Sequence, residues 1–248
     1  MIFDGRELAN EIKKGLEVSG KLVGKSLVIF QTGEKESVYV RLKREMGEGL
    51  GVKVEVRVIN EIKLLKKEVI EVGNEPKVDG VMVQLPLVGT TERERDEILR
   101  LIPVEKDVDG LNPNGEVFLS AAVVAVEKIL EKFEISSLKM AVVGSKGMTG
   151  KGLLSRFRGD LGLMVKGFDA GDRLGSLKAF DVVISATGRP DLVTSNMVKD
   201  GVIAIDLGFP RPDFEKKVSK KAKFFTPVPG GVGPVTVVSL FDNLSKTG

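Results

Sequence analysis

The sequence predicts a two-lobed α/β protein built on parallel sheets, and three observations predict it. Short continuous apolar runs of the kind shown by buried parallel strands recur along the chain. Amphipathic helical segments alternate with them at the lengths of βαβ units. Midway, one helical segment that is apolar nearly all round separates two such alternating series, which marks it as a buried connector between lobes. A chain of 248 residues has the length for one large domain or two of ordinary size.

Taken in order, Asp4 is placed to cap a first helix in which Leu8, Ile12 and Leu16 repeat at helical spacing before Gly20. Residues 26–31, containing Leu27-Val28-Ile29-Phe30, form the first strand, and the loop Thr32-Gly33-Glu34-Lys35 delivers the chain to a helix over residues 37–50, which Gly51 ends. At 100° per residue, Val38, Leu42, Met46 and Leu50 make an apolar stripe on that helix, with Arg41, Arg44, Glu45 and Glu48 opposite. Tyr39 and Lys43, four apart and so surface neighbours, sort with the apolar side. Residues 52–59 alternate as a second strand, 61–72 read as a second crossover helix, and 78–85 as a third strand ending in Gln84-Leu85-Pro86-Leu87. Pro86 breaks that strand, and the sequence leaves the isomer of the Leu85–Pro86 bond open. A charged helix over 91–101 and a turn-rich loop over 103–115 lead to the connector helix, residues 118–133.

The rhythm then restarts. Lys139-Met140-Ala141-Val142-Val143 runs as a strand into Gly144-Ser145-Lys146-Gly147-Met148-Thr149-Gly150-Lys151-Gly152 and a helix. Successive backbone N–H groups at such a helix start bind phosphate. The turn matches neither G-x-G-x-x-G nor the P-loop pattern, so its placement after a strand carries the reading, against the alternative of a plain turn. Strands over 163–168, ending at Asp169, over 181–186 and over 202–206 complete a Rossmann-type half. Thr187-Gly188-Arg189-Pro190 and Asp206-Leu207-Gly208 close the later strands at the edge where a dinucleotide lies in such folds. A last strand over 222–225 enters Thr226-Pro227-Val228-Pro229-Gly230-Gly231-Val232-Gly233-Pro234, and a helix over 234–244 is expected to pack back on the first lobe and close a cleft. The expected domains are residues 1–118 with 229–248, and residues 119–228.

Composition narrows the chemistry. The 38 basic and 35 acidic residues leave a formal charge of +3 spread thinly, and without Trp or a basic stripe a nucleic-acid partner is not expected. No apolar run is long enough to span a bilayer and no signal-peptide pattern opens the chain, so the expected location is the cytoplasm, with no membrane partner. The absence of Cys excludes disulfides and thiolate chemistry, and with His also absent most transition-metal sites are excluded. Asp107 and Asp109, with a lysine just before them and no further acidic cluster, fit a hard cation poorly, so no metal is expected. With neither imidazole nor thiol, proton transfer falls to a carboxylate, to Tyr39 or to a perturbed lysine. Lys43, on the apolar side of its helix, either lays its stem along that surface with its head in water or is the catalyst. Gln84, at a strand C-terminal end, either faces a site or is a solvated amide.

Together these residues resemble the bifunctional methylenetetrahydrofolate dehydrogenase/methenyltetrahydrofolate cyclohydrolase family over nearly the whole chain. Tyr39-Val40-Arg41-Leu42-Lys43 is similar to its Y-V-x-x-K, Gly80-Val81-Met82-Val83-Gln84-Leu85-Pro86-Leu87 to its G-I-x-V-Q-L-P-L, and Lys106-Asp107-Val108-Asp109-Gly110 to its K-D-V-D-G. The run of residues 226–234, followed by Thr236-Val237, is similar to its T-P-V-P-G-G-V-G-P-M-T-V. The resemblance implies a cytoplasmic homodimer that oxidises 5,10-methylenetetrahydrofolate with a nicotinamide dinucleotide and hydrolyses the methenyl product to 10-formyltetrahydrofolate, steps that feed one-carbon metabolism and purine biosynthesis. It implies catalytic roles for Lys43, for Gln84, which tunes it, and for Tyr39, which packs on the substrate. It implies substrate binding by Asp109, Gly230, Gly231 and Pro234, and cofactor binding by Gly144, Ser145, Lys146, Gly147, Met148, Thr149, Gly150, Asp169, Thr187 and Gly188.

The chain departs from the family pattern in three places. Glu36 stands where the family has a serine and Ser37 follows one place late. The segment holding a C-T-P-x-G motif after K-D-V-D-G is missing. Gly144-Ser145-Lys146 replaces the frequent G-R-S. Family habit implies NADP, with Lys146 and Arg173 able to pair a 2′-phosphate, whereas Asp169 suits the ribose hydroxyls of NAD. The competing readings are a dehydrogenase-only NAD-dependent member and a non-catalytic dinucleotide-binding module.

Overall fold

The computed structural model describes residues 1–115 and 117–248. The backbone packs as two units, one of Met1–Ala9 with Ala122–Thr236 and the other of Asn10–Ala121 with Val237–Gly248. Both are α/β with wholly parallel sheets, as the alternation of apolar runs and amphipathic segments predicts. No helix among the described residues is long and apolar enough to cross a membrane.

In chain order, α1 (Gly5–Ser19) begins beside Asp4, whose carboxylate accepts the Arg6 amide at 2.9 Å, and leads to β1 (Ser26–Gln31). Then come α2 (Val38–Gly49), β2 (Lys53–Val58), α3 (Ile62–Gly73), β3 (Gly80–Val83) and α4 (Glu92–Leu99), the last opened by a reciprocal Thr91/Glu94 capping box. The strand order is β2-β1-β3. β1 is central, pairing Ser26 with Lys53 on one side and Leu27 with Gly80 on the other, so Leu27, Val28, Ile29 and Phe30 are all buried. A side chain of that size contributes about 1.5–3 kcal/mol on full burial. The Leu85–Pro86 bond is cis.

The buried face of α2 differs from the stripe expected from periodicity. Val38 and Leu42 are 58% and 42% exposed, while Val40, Lys43, Gly47 and Leu50 are buried. The physical reason is Gly47. With no side chain there, α2 comes close to β2 and to the C-terminal helix, so a Cβ on Gly47 would lie 2.6 Å from Val54 Cγ2 and 2.8 Å from Phe241 Cε1. That contact rotates the row through residues 40, 43, 47 and 50 inward and carries the lysine with it.

The connector α5 (Ala121–Leu130) starts three residues later than the helical pattern, because the residues before it run as loop and the Ala121 amide donates to the Asp109 carbonyl. Ala121, Val123, Val124, Ala125 and Val126 are buried. Beyond it come β4 (Met140–Val143), α6 (Met148–Leu154), which runs on into a π-helical turn over Ser155–Asp160, and β5 (Val165–Phe168). A 3₁₀ turn at Leu174–Ala179 precedes β6 (Val182–Ser185) and β7 (Ile203–Asp206), followed by α7 (Val218–Lys221), β8 (Phe224–Phe225) and α8 (Val232–Leu244). The five strands are ordered β5-β4-β6-β7-β8. At the β8 edge the chain start joins in, with the Phe3 amide donating to the Phe225 carbonyl at 2.9 Å.

Replacing Gly47 by valine should destabilise the protein by about 2–3 kcal/mol, because the added atoms have no room against Val54 and Phe241. Urea unfolding should show a lowered midpoint with an unchanged slope; an unaltered midpoint would mean the α2 contact is looser than described.

Candidate active site

In a parallel sheet with strand order 2-1-3, the loops leaving the first and third strands run in opposite directions, and a crevice opens at the strand C-terminal ends. In the three-stranded sheet that point lies between the ends of β1 and β3, at Gln31 and Gln84. Gln31 is buried and organises the loop leading to α2: its Nε2 donates to the Lys35 carbonyl at 2.9 Å and its Oε1 accepts the Ser37 amide at 3.1 Å. Ser37 then caps α2, its hydroxyl accepting the Val40 amide at 3.2 Å, while Glu36 takes a two-pronged bond from Arg44 at 2.9 and 3.1 Å. Glu36 and Ser37, out of step with the family pattern, are thus both engaged in starting the helix.

The helix presents Lys43 inward, 5% exposed. Its Nζ donates to Gln84 Oε1 at 3.2 Å and to the weak acceptor Met82 sulfur at 3.7 Å, and lies 3.9 Å from Asp109 Oδ2. Gln84 is held at both ends: its amide N–H donates to the Phe30 carbonyl at 2.7 Å, and its Nε2 donates to the Leu85 carbonyl at 2.8 Å, which turns Oε1 toward the lysine. Tyr39 lies one turn before Lys43, half-buried, and desolvation pushes its phenol up from the ordinary value, so it stays protonated at neutral pH. The structure thus brings Lys43 and Gln84 together with Asp109, with Tyr39 one turn away on the same helix and the lysine buried rather than extended into water.

Asp109 is presented by a loop that sequence reasoning did not resolve. Asp107 pairs with Val81 at the edge of β3, its Oδ2 accepts the Asn112 amide at 2.6 Å, and its carbonyl accepts the Gly110 amide at 2.9 Å. Asn112 in turn donates to the Ile102 carbonyl at 2.8 Å. From α8, Asn243 Nδ2 donates to the carbonyls of Val108 at 3.0 Å and Leu119 at 2.9 Å, pinning both flanks of Asp109. Burial pushes the Asp107 carboxyl from 3.8 up to about 6, against the bonds from the Asn112, Leu111 and Gly110 amides. Asp107 is therefore a folding element of the loop. Its signal in the sequence was only its place two residues before Asp109.

The five-stranded sheet repeats the arrangement. Its order places the switch point between β4 and β6, whose C-terminal loops carry Gly144 and Thr187. Gly144 has φ +84°, and a Cβ there would lie 2.7 Å from the Ala186 carbonyl oxygen and 3.0 Å from Thr187 Cγ2, so only glycine fits. A Cβ on Gly150 would meet the Gly144 carbonyl oxygen more closely still. The amides of Gly144 and Ser145 donate to the Phe168 carbonyl, that of Lys146 to Asp169 Oδ1 and that of Gly147 to the Gly144 carbonyl. Among the described residues, the amides of Met148, Thr149 and Gly150, in the first turn of α6, have no backbone carbonyl partner. Asp169 accepts the Ser145 hydroxyl as well as the Lys146 amide. Burial pulls its pKa up, but those two bonds outweigh it and hold the carboxyl below its ordinary value. Thr187 is held by Asp213, a residue no sequence pattern singled out. Gly230, with φ +100°, accepts the Gly5 amide at 2.8 Å, and Gly231 donates to the Pro227 carbonyl at 2.8 Å; with Pro234 at the start of α8, they belong to the unit of the five-stranded sheet.

Comparison with known proteins agrees in both halves. Residues 3–109 match the model of the tetrahydrofolate dehydrogenase/cyclohydrolase catalytic domain, and residues 120–247 that of the tetrahydrofolate dehydrogenase/cyclohydrolase NAD(P)-binding domain. The bifunctional protein FolD of Nautilia profundicola is 32% identical over 99% of this chain and 96% of its own. Among solved structures, the bifunctional FolD methylenetetrahydrofolate dehydrogenase/cyclohydrolase of Campylobacter jejuni superposes with a TM-score of 0.88 at 28% identity, covering 100% of this chain and 98% of that one. The FolD of Trypanosoma brucei, complexed with NADP cofactor and an inhibitor, gives 0.85 at 28% identity, covering 98% and 95%.

Because burial raises the Asp107 pKa, the folded state holds that proton more tightly than the unfolded chain does. The stability it contributes is complete below about pH 4 and is lost as pH rises through about 6. Asp107→Asn has no such titration, so its unfolding midpoint relative to the wild type should move in the variant's favour between pH 4 and 7. A pH-independent difference would mean the carboxylate is solvated.

Proposed function

The chain belongs to the tetrahydrofolate dehydrogenase/cyclohydrolase family, and from that membership we propose how its residues divide the two reactions. The protein oxidises 5,10-methylenetetrahydrofolate to the methenyl form and hydrolyses that product to 10-formyltetrahydrofolate. The carrying observation is the buried Lys43 Nζ, held by Gln84 and facing Asp109.

When bound, the dinucleotide accepts hydride from the one-carbon unit, a step that needs no protein acid and for which the chain supplies alignment. In the second step water adds to the cationic methenyl carbon and the C–N5 bond breaks. Both protons of the water must leave, because its oxygen becomes the formyl oxygen: one reaches N5 and the other is released. Lys43 Nζ moves those protons, Gln84 Oε1 orients it and tunes it, and Tyr39 packs on the folate ring. Asp109 accepts the aminopyrimidine edge of the pterin through its two oxygens, and we assign substrate binding to Gly230, Gly231 and Pro234 as well.

For the cofactor, the close-packed Gly144 and Gly150 turn and the open first-turn amides fit a pyrophosphate. Ser145, Lys146, Gly147, Met148, Thr149, Asp169, Thr187 and Gly188 surround it. We assign NADP, which the bound cofactor of the Trypanosoma brucei relative supports, with Lys146 and Arg173 as partners of the 2′-phosphate. NAD is the alternative that Asp169 favours, since a carboxylate there suits free ribose hydroxyls. Initial rates with the two dinucleotides separate these, and a higher kcat/KM with NAD would overturn the assignment.

In the functional division we propose, residues 1–118 and 229–248 serve the folate and 119–228 the dinucleotide. It differs from the packing division at residues 1–9, 119–121 and 229–236, where α1, α5 and α8 carry the chain across. We further place the protein in the cytoplasm as a homodimer, which sedimentation would test.

Lys43→Met keeps the length and packing of the side chain but carries no proton. Cyclohydrolase turnover should fall about 100- to 10,000-fold while dehydrogenase activity remains measurable. Equal loss of both activities would make Lys43 a substrate-positioning group instead. Separately, Gly150→Val should push apart the turn and weaken NADP binding about tenfold or more by calorimetry, and unchanged affinity would move the pyrophosphate elsewhere.

A further inference from the structure

The residue that holds the Thr187 turn lies outside every motif. Asp213 is fully buried, and one of its oxygens, Oδ2, accepts three hydrogen bonds: from the Ser185 hydroxyl at 2.8 Å, the Thr187 amide at 2.7 Å and the Thr187 hydroxyl at 2.8 Å. The Thr187 hydroxyl oxygen accepts the Arg189 amide at 3.1 Å, so the fixed orientation passes one step further along the turn. The other oxygen, Oδ1, is buried without a partner among the described residues. A carboxylate used on one oxygen only, with every donor coming from the end of β6 or the turn after it, is placed for the turn rather than for its own surroundings.

Its own position is firmly set. The Asp213 amide donates to Asp206 Oδ1 at 3.1 Å and the Phe214 amide to Asp206 Oδ2 at 3.1 Å, while the Asp213 carbonyl accepts the Val193 amide at 3.0 Å. Asp206 ends β7 and is itself anchored, its amide donating to the Thr226 hydroxyl at 2.7 Å. A chain of bonds therefore runs from the end of β7 through Asp206 and Asp213 to Thr187. Thr187 packs on the glycine turn, as the close approach to Gly144 shows. The β6 wall of the β4/β6 switch point is thus referred to one buried side chain.

We propose that Asp213 is a positioning residue for the dinucleotide, holding residues 187–189 in the shape that faces the glycine turn. This rests on the dinucleotide reading of that crevice. Asp213 touches no reacting atom; it acts through Thr187.

Calorimetry of the full-length wild type with NADP and with NAD comes first, and failure of both to bind would sink the dinucleotide reading itself before any variant is made. Given binding, Asp213→Ala should raise the Kd and the KM for the dinucleotide about tenfold, as expected for loss of bonds to a carboxylate, with kcat at saturation and cyclohydrolase turnover close to the wild type. Asp213→Asn should restore most of the affinity, since its oxygen can take the Oδ2 place and its nitrogen the place that has no partner. A folded Asp213→Ala protein that binds dinucleotide like the wild type would overturn the proposal, as would an Asp213→Asn variant as weak as the alanine. If Asp213→Ala does not fold, Thr187→Val decides: it deletes one of the bonds, should raise the Kd by a smaller factor, and an unchanged Kd would overturn the proposal.

Discussion

A lysine head group on the buried face of a helix is the constraint on which the unit of the three-stranded sheet depends. Taking an ammonium out of water costs several kcal/mol unless partners are supplied, and at 3.9 Å the Asp109 carboxylate is too far for a hydrogen bond, so Coulomb attraction alone joins the pair. The neutral oxygen of Gln84 supplies the direct acceptor. A lysine so held is neither paired off tightly nor left in water, and its nitrogen stays available to a third group. Gly47 makes this possible from a distance, because the close approach it permits turns the lysine inward.

Each sheet offers the same opportunity once. In both, the second strand in sequence lies on one side of the first and the third on the other, so loops leaving the first and third strands diverge and leave a crevice at their C-terminal ends. The three-stranded sheet uses it for Gln31, Gln84 and the incoming α2, and the five-stranded sheet for the Gly144 and Thr187 turns. Parallel pairing thus settles where chemistry can be housed before any particular side chain does.

Buried carboxylates then shape the loops. Asp107, Asp206 and Asp213, together with the partly exposed Asp169, each accept backbone amides from irregular segments that have no ladder to satisfy them. Desolvation costs are visible in Asp107 and Asp206, both pushed up to about 6, and are outweighed at Asp169 by the bonds it accepts. Of these, Asp213 alone carries no motif in the sequence, yet it too fixes an irregular segment through backbone amides.

What the sequence by itself determined is local and periodic. The apolar run Leu27-Val28-Ile29-Phe30, the turn residues Gly51 and Gly144, and the alternation around the connector at Ala121–Leu130 specify strand, helix and fold class, because strand and helix periods are properties of short segments. The absence of His and Cys made Lys43 a candidate proton carrier, while its expected apolar stripe placed the wrong row of the helix inward. Tertiary structure alone decided which row of α2 faces inward, since that depends on what Gly47 meets 7 and more than 190 residues away, at Val54 and Phe241. It alone decided that Gln84 turns its oxygen to the lysine, that Asp107 folds the loop presenting Asp109, and that Asp213 holds Thr187 across 26 residues of chain. Hydrogen bonds between distant residues have no period and no spacing, so they leave no trace in the sequence until the chain is folded.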